Sequence, residues 1–107
     1  MKKKQLIRLK FRLGVFERDK FKCKTCDVMG TEDTLDAHHI TDRNEMPNGS
    51  YIPENGITLC RECHKKAEVF HSSGKTEWEE GYHPADLYKL IDSSYEKAYN
   101  RDKLKGI

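Results

Sequence analysis

Hydrophobic residues near the start of the chain follow a spacing that two kinds of element could produce. Every second position over residues 7–13 is apolar, as in a strand, but Leu6, Leu9 and Leu13 also fit one face of a helix. The pattern therefore leaves strand and helix open for this segment. The apolar residues within 14–20 predict a short helical turn that leads the chain to the first cysteine pair.

Two short apolar segments in the middle of the chain predict a β-hairpin. Residues 35–40 and 57–60 have the composition of strands, and turn-forming residues separate them. The connection between them, residues 41–56, contains Pro47-Asn48-Gly49-Ser50 and Pro53, which break regular structure. A connection of this length is uncommon within a compact domain and is often functional or mobile.

Two helices are predicted after the hairpin. Residues 64–71 contain neither Gly nor Pro, and the run Ser72-Ser73-Gly74 ends them. Beyond Gly81, Pro84 suits the first turn of a separate helix. One apolar stripe at helical spacing runs along that helix and is expected to face the core, with the members Leu87, Leu90, Ile91, Tyr95 and Ala98. Together these elements predict a small α+β fold with helical segments on both sides of a hairpin.

The length and composition fit one small domain with a thin core. The chain has 107 residues, of which 36% are hydrophobic, 36% charged and 9% aromatic. The aromatic content argues against disorder, but a domain of this size often needs a metal ion or disulfides for stability. The four cysteines of the chain could provide either.

Positive charge is concentrated at the N-terminus, although the chain as a whole carries only +2. Residues 1–24 include ten Lys or Arg and two acidic residues. A basic arm over residues 1–22 suits a phosphate backbone, because each cation that neutralises a phosphate releases condensed counterions. Charge alone leaves a solvated, solubilising tail as an equal alternative.

The first residues do not have the pattern of a secretion signal. The lysines at positions 2–4 are typical of a signal peptide, but Arg8, Lys10 and Arg12 interrupt the apolar stretch that would follow. No uncharged apolar run approaches the roughly 20 residues that cross a bilayer. We therefore expect no membrane partner and a cytoplasmic location, where cysteines stay reduced and bind metals rather than form disulfides.

The cysteines form two pairs with the spacing of a zinc site. Cys23-x-x-Cys26 and Cys60-x-x-Cys63 each place two sulfurs on one turn, and two such turns complete a tetrahedron. Four thiolates leave no position for water, so this zinc would be structural. Its binding would supply about 10 kcal/mol of folding free energy, as in zinc-finger peptides. A redox-active dithiol and disulfides are the alternatives, although the βαβ context of a thioredoxin-like motif is missing.

Polar residues between and beside the cysteine pairs follow a recognisable order. His38 and His39 end the first predicted strand, Asn55 lies in the long connection, and His64 follows the last cysteine. With the two CxxC pairs, this order resembles the HNH nucleases over residues 12–71. The resemblance implies a ββα-metal (His-Me finger) core stapled by the four-cysteine zinc site.

The resemblance implies a single HNH nuclease domain over residues 1–107. Its parts would be the basic N-terminal arm (1–22), the zinc knuckles with the ββα core (23–71) and a C-terminal helical extension (72–107).

The resemblance also implies a role for each polar residue of the core. His39 would be the general base that takes a proton from the attacking water, and Asn55 would hold His39 and its loop in orientation. His38 and His64 would bind the catalytic divalent ion, and Glu68, one helical turn after His64, is a further candidate ligand. The ion would be Mg²⁺ or Mn²⁺, although a histidine-rich site would also accept Zn²⁺ or Ni²⁺.

Physical chemistry supports two separate histidine roles. A neutral imidazole with a pKa near 6.5 accepts a proton at pH 7, while a bound metal neutralises charge on the phosphate and on the departing oxygen. Neighbours on a regular strand point to opposite faces, however, so His38 and His39 would not both reach one phosphate. We predict that the strand ends or twists at this pair.

The sequence therefore predicts a metal-dependent endonuclease that nicks or cuts both strands of DNA with little sequence preference of its own. Concerted cleavage of both strands would require a second copy or a protein partner. The family implies a bacterial cell or a phage-infected host. A zinc-ribbon module that binds nucleic acid without cleaving it is the alternative, but it leaves the histidines and Asn55 unexplained. The candidate contacts to the DNA backbone are Lys2, Lys3, Lys4, Arg8, Lys10, Arg12, Arg43, Lys65 and Lys66.

Overall fold

A computed structural model of the chain describes residues 2–105 and contains four helices and one two-stranded sheet within them. Two short 3₁₀ turns, Arg43–Glu45 and Pro53–Asn55, lie in the connection between the strands. The helices and strands, in chain order, are α1 (Lys3–Arg18), β1 (Leu35–His39), β2 (Gly56–Cys60), α2 (Arg61–Ser72), α3 (Pro84–Leu90) and α4 (Tyr95–Leu104). The predicted small α+β fold is confirmed.

The two strands form the predicted antiparallel hairpin. Leu35 pairs with Cys60 at one end and His39 pairs with Gly56 at the other. Each strand lies within one residue of its predicted bounds, since Ile40 follows β1 and Gly56 begins β2. The predicted end of the strand at the histidine pair is also observed, because β1 stops at His39.

The N-terminal segment is one helix rather than a strand or a short turn. Helix α1 buries Phe11, Val15 and Phe16, which lie on one face at helical spacing and pack against the hairpin. The turn predicted over residues 14–20 is largely the end of this helix. Gly56 allows the close approach, since a Cβ there would lie 2.4 Å from Val15 Cγ2. Most of the predicted basic arm is therefore a folded part of the domain.

Helices α1 and α2 pack on opposite faces of the hairpin. His39 contacts Phe11 of α1, whereas the preceding residue, His38, faces His64 and His71 of α2. Helix α2 begins three residues earlier than predicted, because extended Cys60 serves as its N-cap. It ends at Ser72, as the Ser-Ser-Gly run predicts.

The C-terminal segment is two helices, so the prediction of one continuous apolar stripe is wrong. Helix α3 begins with Pro84, as predicted, but the chain turns at Asp92, whose φ is +53°, and restarts at Ser94. The Ser94 side chain accepts a hydrogen bond from the Lys97 amide and caps α4. Because of this break, Leu90 and Tyr95 are exposed, whereas the other members of the stripe are buried or half-buried.

None of the helices within residues 2–105 has both the length and the apolar character needed to cross a membrane.

Candidate functional site

Four cysteine sulfurs converge where the turn after α1 meets the end of β2 and the start of α2. The Sγ atoms of Cys23, Cys26, Cys60 and Cys63 all lie within 4.8 Å of one another, and Cys26 Sγ is 3.8 Å from Cys60 Sγ. Sulfurs about 2.3 Å from a tetrahedral Zn²⁺ are about 3.8 Å apart. The cysteines fit a structural zinc ion, as their spacing predicts.

The pKa values within this cluster also favour a bound cation. Burial raises the pKa of the Cys23 thiol, but hydrogen bonds from Thr25 and the backbone together lower it by more. The resulting pKa is about 6. A hydrogen bond from the Val28 backbone lowers the pKa of Cys26, whereas burial and the neighbouring sulfurs together raise it by more. The pKa of Cys26 is therefore raised to about 12. One thiolate thus forms easily, and further thiolates repel it unless a cation is present. The Tyr82 hydroxyl adds a donor to Cys63 Sγ at 3.2 Å.

A second cluster joins the end of β1 to α2 and consists of His38, His64 and Glu68. One ligand atom from each lies within 4.8 Å of the others. Glu68 Oε1 is 3.3 Å from His38 Nδ1 and 3.2 Å from His64 Nε2. Two imidazoles and one carboxylate suit a first-row divalent ion. This cluster borders a cavity of about 280 Å³, which leaves space for water and a substrate oxygen.

The protonation states of His38 and Glu68 fit a metal site. Burial lowers the pKa of His38, so that imidazole is neutral at pH 7. The pKa of Glu68 is lowered to about 2, and the hydrogen bond with His38 is the largest cause. Neutral imidazoles and an ionised carboxylate are the forms that coordinate a divalent cation.

Asp36 orients His64 and was missed by the sequence analysis. Asp36 Oδ2 is 2.9 Å from His64 Nδ1, and Arg61 donates to the other carboxylate oxygen of Asp36. A carboxylate that accepts the Nδ1 proton of a histidine leaves Nε2 free for a metal ion. The alternation of β1 could have indicated this contact, because Asp36 and His38 lie on the same face of the strand.

His39 lies on the opposite face but reaches the same cavity as the metal-ligand cluster. Its ring stacks on Phe11 at a centroid distance of 4.4 Å and meets Tyr51 edge-on at 5.2 Å. Its Nε2 atom is buried and has no hydrogen-bond partner among residues 2–105. Burial, with the charge of Arg43 as the next effect, lowers the pKa of His39 to about 4, so the ring is neutral at pH 7. His71 ties this strand end to α2, since its Nε2 lies 3.2 Å from the His39 carbonyl oxygen.

Asn55 is fully buried and fixes the segment that follows His39. Its Oδ1 accepts hydrogen bonds from the Thr41 amide at 2.9 Å and the Tyr88 hydroxyl at 2.6 Å. Its Nδ2 donates to the Thr41 carbonyl at 2.9 Å and to Ser50 Oγ at 2.6 Å. The long connection is thus bonded internally, and Tyr88 of α3 is a part of the network that the sequence did not indicate.

The predicted backbone-contacting residues lie in different parts of the surface. Arg8, Arg12 and Arg43 line a cavity that also includes His39. Lys65 and Lys66 are exposed on α2, and the Lys66 ammonium lies 5.7 Å from the centroid of the Tyr82 ring, near the cysteine cluster. Two residues, Lys4 and Arg8, line a further cavity beside Tyr51. The remaining predicted contacts are exposed on or just before α1 and line none of these cavities: Lys2, Lys3 and Lys10.

Comparison with known proteins gives one match. The family model described as HNH endonuclease matches residues 23–70, a range that includes both cysteine pairs, the ligand cluster and His39. No curated protein and no solved structure matches the chain significantly.

Proposed function

We propose that this chain, which matches the HNH endonuclease family over residues 23–70, is a metal-dependent endonuclease that hydrolyses DNA phosphodiester bonds. One observation carries the proposal. The ligand cluster of His38, His64 and Glu68 borders the same cavity as His39, whose imidazole is neutral and stacked on Phe11. A metal ligand set beside an independent base is what hydrolysis of a phosphodiester requires.

Each residue has one task in the proposed reaction. His39 accepts a proton from the water whose oxygen attacks phosphorus, and the bond from phosphorus to the 3′ oxygen breaks. The 3′ oxygen takes up a proton from solvent as it leaves, so the products are a 5′-phosphate and a 3′-hydroxyl. His38, His64 and Glu68 would hold the divalent ion, which would neutralise charge on the phosphate and on the departing oxygen. Asn55 holds the backbone that follows His39.

The ligand atoms of each cluster determine which ions it prefers. We propose Mg²⁺ or Mn²⁺ at the catalytic cluster, where two imidazoles also accommodate Zn²⁺ or Ni²⁺. The cysteine cluster takes a separate, structural Zn²⁺, since thiolates prefer softer ions than Mg²⁺.

The DNA backbone is the proposed partner of the basic residues near His39. Arg8, Arg12 and Arg43 would neutralise phosphates on either side of the bond that is cut. No element within residues 2–105 has the character of a base-reading helix, so we expect weak sequence preference. One site cuts one strand in each encounter, so cleavage of both strands needs a second copy, a protein partner or two encounters. We place the protein in the cytoplasm of a bacterial cell or phage-infected host.

A nicking assay separates this function from a zinc-ribbon module that only binds nucleic acid. Supercoiled plasmid is incubated with the protein and Mg²⁺, Mn²⁺ or no divalent ion, in parallel with His39→Ala and the control His83→Ala. Loss of a general base lowers the rate by about 10² to 10⁴. We expect this loss in His39→Ala only, with unchanged zinc content and a cooperative thermal transition retained in both variants. Equal nicking by His39→Ala and the wild-type protein would exclude His39 as the base, and no nicking by either would favour the binding module.

A further inference from the structure

A second cavity beside Tyr51 is built from three segments that are distant in the sequence. Its volume is about 420 Å³, and α1, the connection between the strands and the residue after α4 all contribute to it. Four of the seven residues that line it are cationic, and none is acidic. The lining residues include Lys4, Arg8, Arg43, Tyr51 and Lys105.

The buried acid Asp102 does not line this cavity. The carboxylate of Asp102 lies beneath the same connection, but it accepts hydrogen bonds from the Asn48 and Ser50 amides at 2.6 and 2.9 Å. Burial raises the pKa of the Tyr51 hydroxyl, yet hydrogen bonds from Arg8 and Arg43 lower it more, which is the response expected in a positive field. The cavity is therefore suited to an anion.

Tyr51 holds the cationic side chains in place. Arg43 donates to the Tyr51 hydroxyl and its guanidinium carbon lies 5.7 Å from the ring centroid. Lys105 Nζ donates to the Tyr51 carbonyl at 2.7 Å. The Tyr51 ring also contacts His39, and the two ring centroids are 5.2 Å apart. The anion site is thus fixed relative to the proposed base.

The second cavity continues directly from the cavity of His39. Arg8, Arg43 and Tyr51 line both of these cavities, and the one that includes Arg12 shares His39 and Arg43 with the separate cavity of the metal ligands. An anion in the second cavity and a phosphate at the metal ligands would therefore lie on the two sides of His39 and Tyr51. Successive phosphates of one nucleic acid strand provide this repeated negative charge.

We infer that the second cavity binds a phosphate of the substrate strand that flanks the phosphate being cut. This inference rests on the proposed nuclease function and specifies its substrate. The protein therefore cuts a phosphodiester bond inside a strand, where the next phosphate of the same strand occupies the second cavity on the His39 side. An isolated phosphodiester gains nothing from Lys4 and Lys105.

Two substrates and a matched pair of lysines test the inference. The substrates are a DNA oligonucleotide and bis(p-nitrophenyl) phosphate, which has one phosphodiester and no flanking phosphate. The variants are Lys105→Gln, Lys4→Gln and the control Lys103→Gln, which is exposed on α4 outside the cavity. Lys4→Gln guards against a folding effect, because the Lys4 side chain is exposed on α1.

We expect Lys105→Gln and Lys4→Gln each to lower kcat/KM for the oligonucleotide about tenfold and to change the rate on bis(p-nitrophenyl) phosphate less than about twofold. The slope of log affinity against log salt concentration should fall by about one for each lysine removed. Lys103→Gln should change none of these quantities.

Three results would overturn the inference: equal losses on both substrates, equal losses in Lys103→Gln and Lys105→Gln, or no loss on the oligonucleotide. Failure of the proposed function gives a different pattern. In that case the wild-type protein with Mn²⁺ hydrolyses neither substrate, and the flanking-phosphate site is refuted with it.

Discussion

Cys63 and His64 are neighbours in the first turn of α2, but each belongs to a different ligand cluster. Cys63 completes four sulfurs that surround a tetrahedral position, and such a shell leaves no place for a substrate. His64 belongs to a cluster of three ligands that borders a cavity. The comparison separates an ion that would hold the fold from an ion that would act on a substrate.

The two clusters also differ in how they are supported. The cysteine cluster joins chain segments directly, through the turn after α1, the end of β2 and the start of α2. The histidine cluster depends on contacts around its ligands, above all the hydrogen bond from His64 to Asp36. Because α2 begins within the cysteine cluster, zinc binding would also fix the position of His64.

The largest effect is expected from Cys63→Ser, which removes one thiolate of the zinc site. Zinc supplies about 10 kcal/mol or more to small zinc domains, which is comparable to the whole stability of a domain, about 5–15 kcal/mol. We expect loss of bound zinc and of the cooperative thermal transition, measured by elemental analysis and circular dichroism. A melting temperature close to that of the wild-type protein would show that the cysteines do not hold the fold.

His64→Ala, one residue further on, should have the opposite profile. The fold and the zinc content should be retained, because the cysteine cluster is intact. Binding of Mn²⁺, measured by electron paramagnetic resonance of the free ion, should weaken by at least about 100-fold, and nicking should be lost with it. Unchanged Mn²⁺ binding would remove His64 from the ligand set.

Asp36→Asn should have an intermediate effect on the same cluster. The variant keeps the shape of the side chain but loses the charge that accepts the His64 Nδ1 proton. Loss of such a partner typically weakens metal binding about 10- to 100-fold. The control is Asp33→Asn, because the backbone carbonyl of Asp33, and not its side chain, contacts Arg61. If both variants bind Mn²⁺ like the wild-type protein, Asp36 does not position the ligand.

Tyr88→Phe should have the smallest effect. It should affect the connection that supports the histidine cluster and leave the cysteine cluster unchanged. It removes the hydroxyl that donates to Asn55 Oδ1 in a fully buried network. Asn55 Oδ1 keeps the hydrogen bond from the Thr41 amide, so the loss of one buried hydrogen bond should cost about 0.5–1.5 kcal/mol and lower Tm by about 2–12 °C in a domain of this size. Zinc content should not change, and Tyr99→Phe on the surface of α4 is the control. A Tm equal to that of the control would show that the network does not stabilise the connection.

Local patterns were sufficient to predict the hairpin, α2 and the clustering of the four cysteines. Strand composition, a run without Gly or Pro and the CxxC spacing each act over a few residues. Helix α1 could not be assigned in this way, because its apolar residues fit both periods. The choice is made by tertiary contacts, in which Phe11, Val15 and Phe16 pack together against the hairpin.

Local sequence patterns also failed to predict the break between α3 and α4 and the contacts that support the candidate site. The apolar stripe continues through Asp92 with helical spacing, but the structure interrupts the helix there and caps the next one with Ser94. The contact of Asp36 with His64 depends on how α2 crosses the hairpin, and the position of Tyr51 beside His39 depends on the path of the long connection. Alternation shows which face of a strand carries a residue, but which side chains of distant segments then meet is decided by how those segments pack.

The most direct measurement is a crystal structure with Mn²⁺ in which anomalous scattering distinguishes manganese from zinc. We expect zinc among the four cysteine sulfurs and a separate manganese ion bound by His38, His64 and Glu68, with His39 beside it and not coordinated. A manganese ion bound by His39 itself, or no manganese at the histidine cluster, would contradict the assignment of a metal site and an independent base.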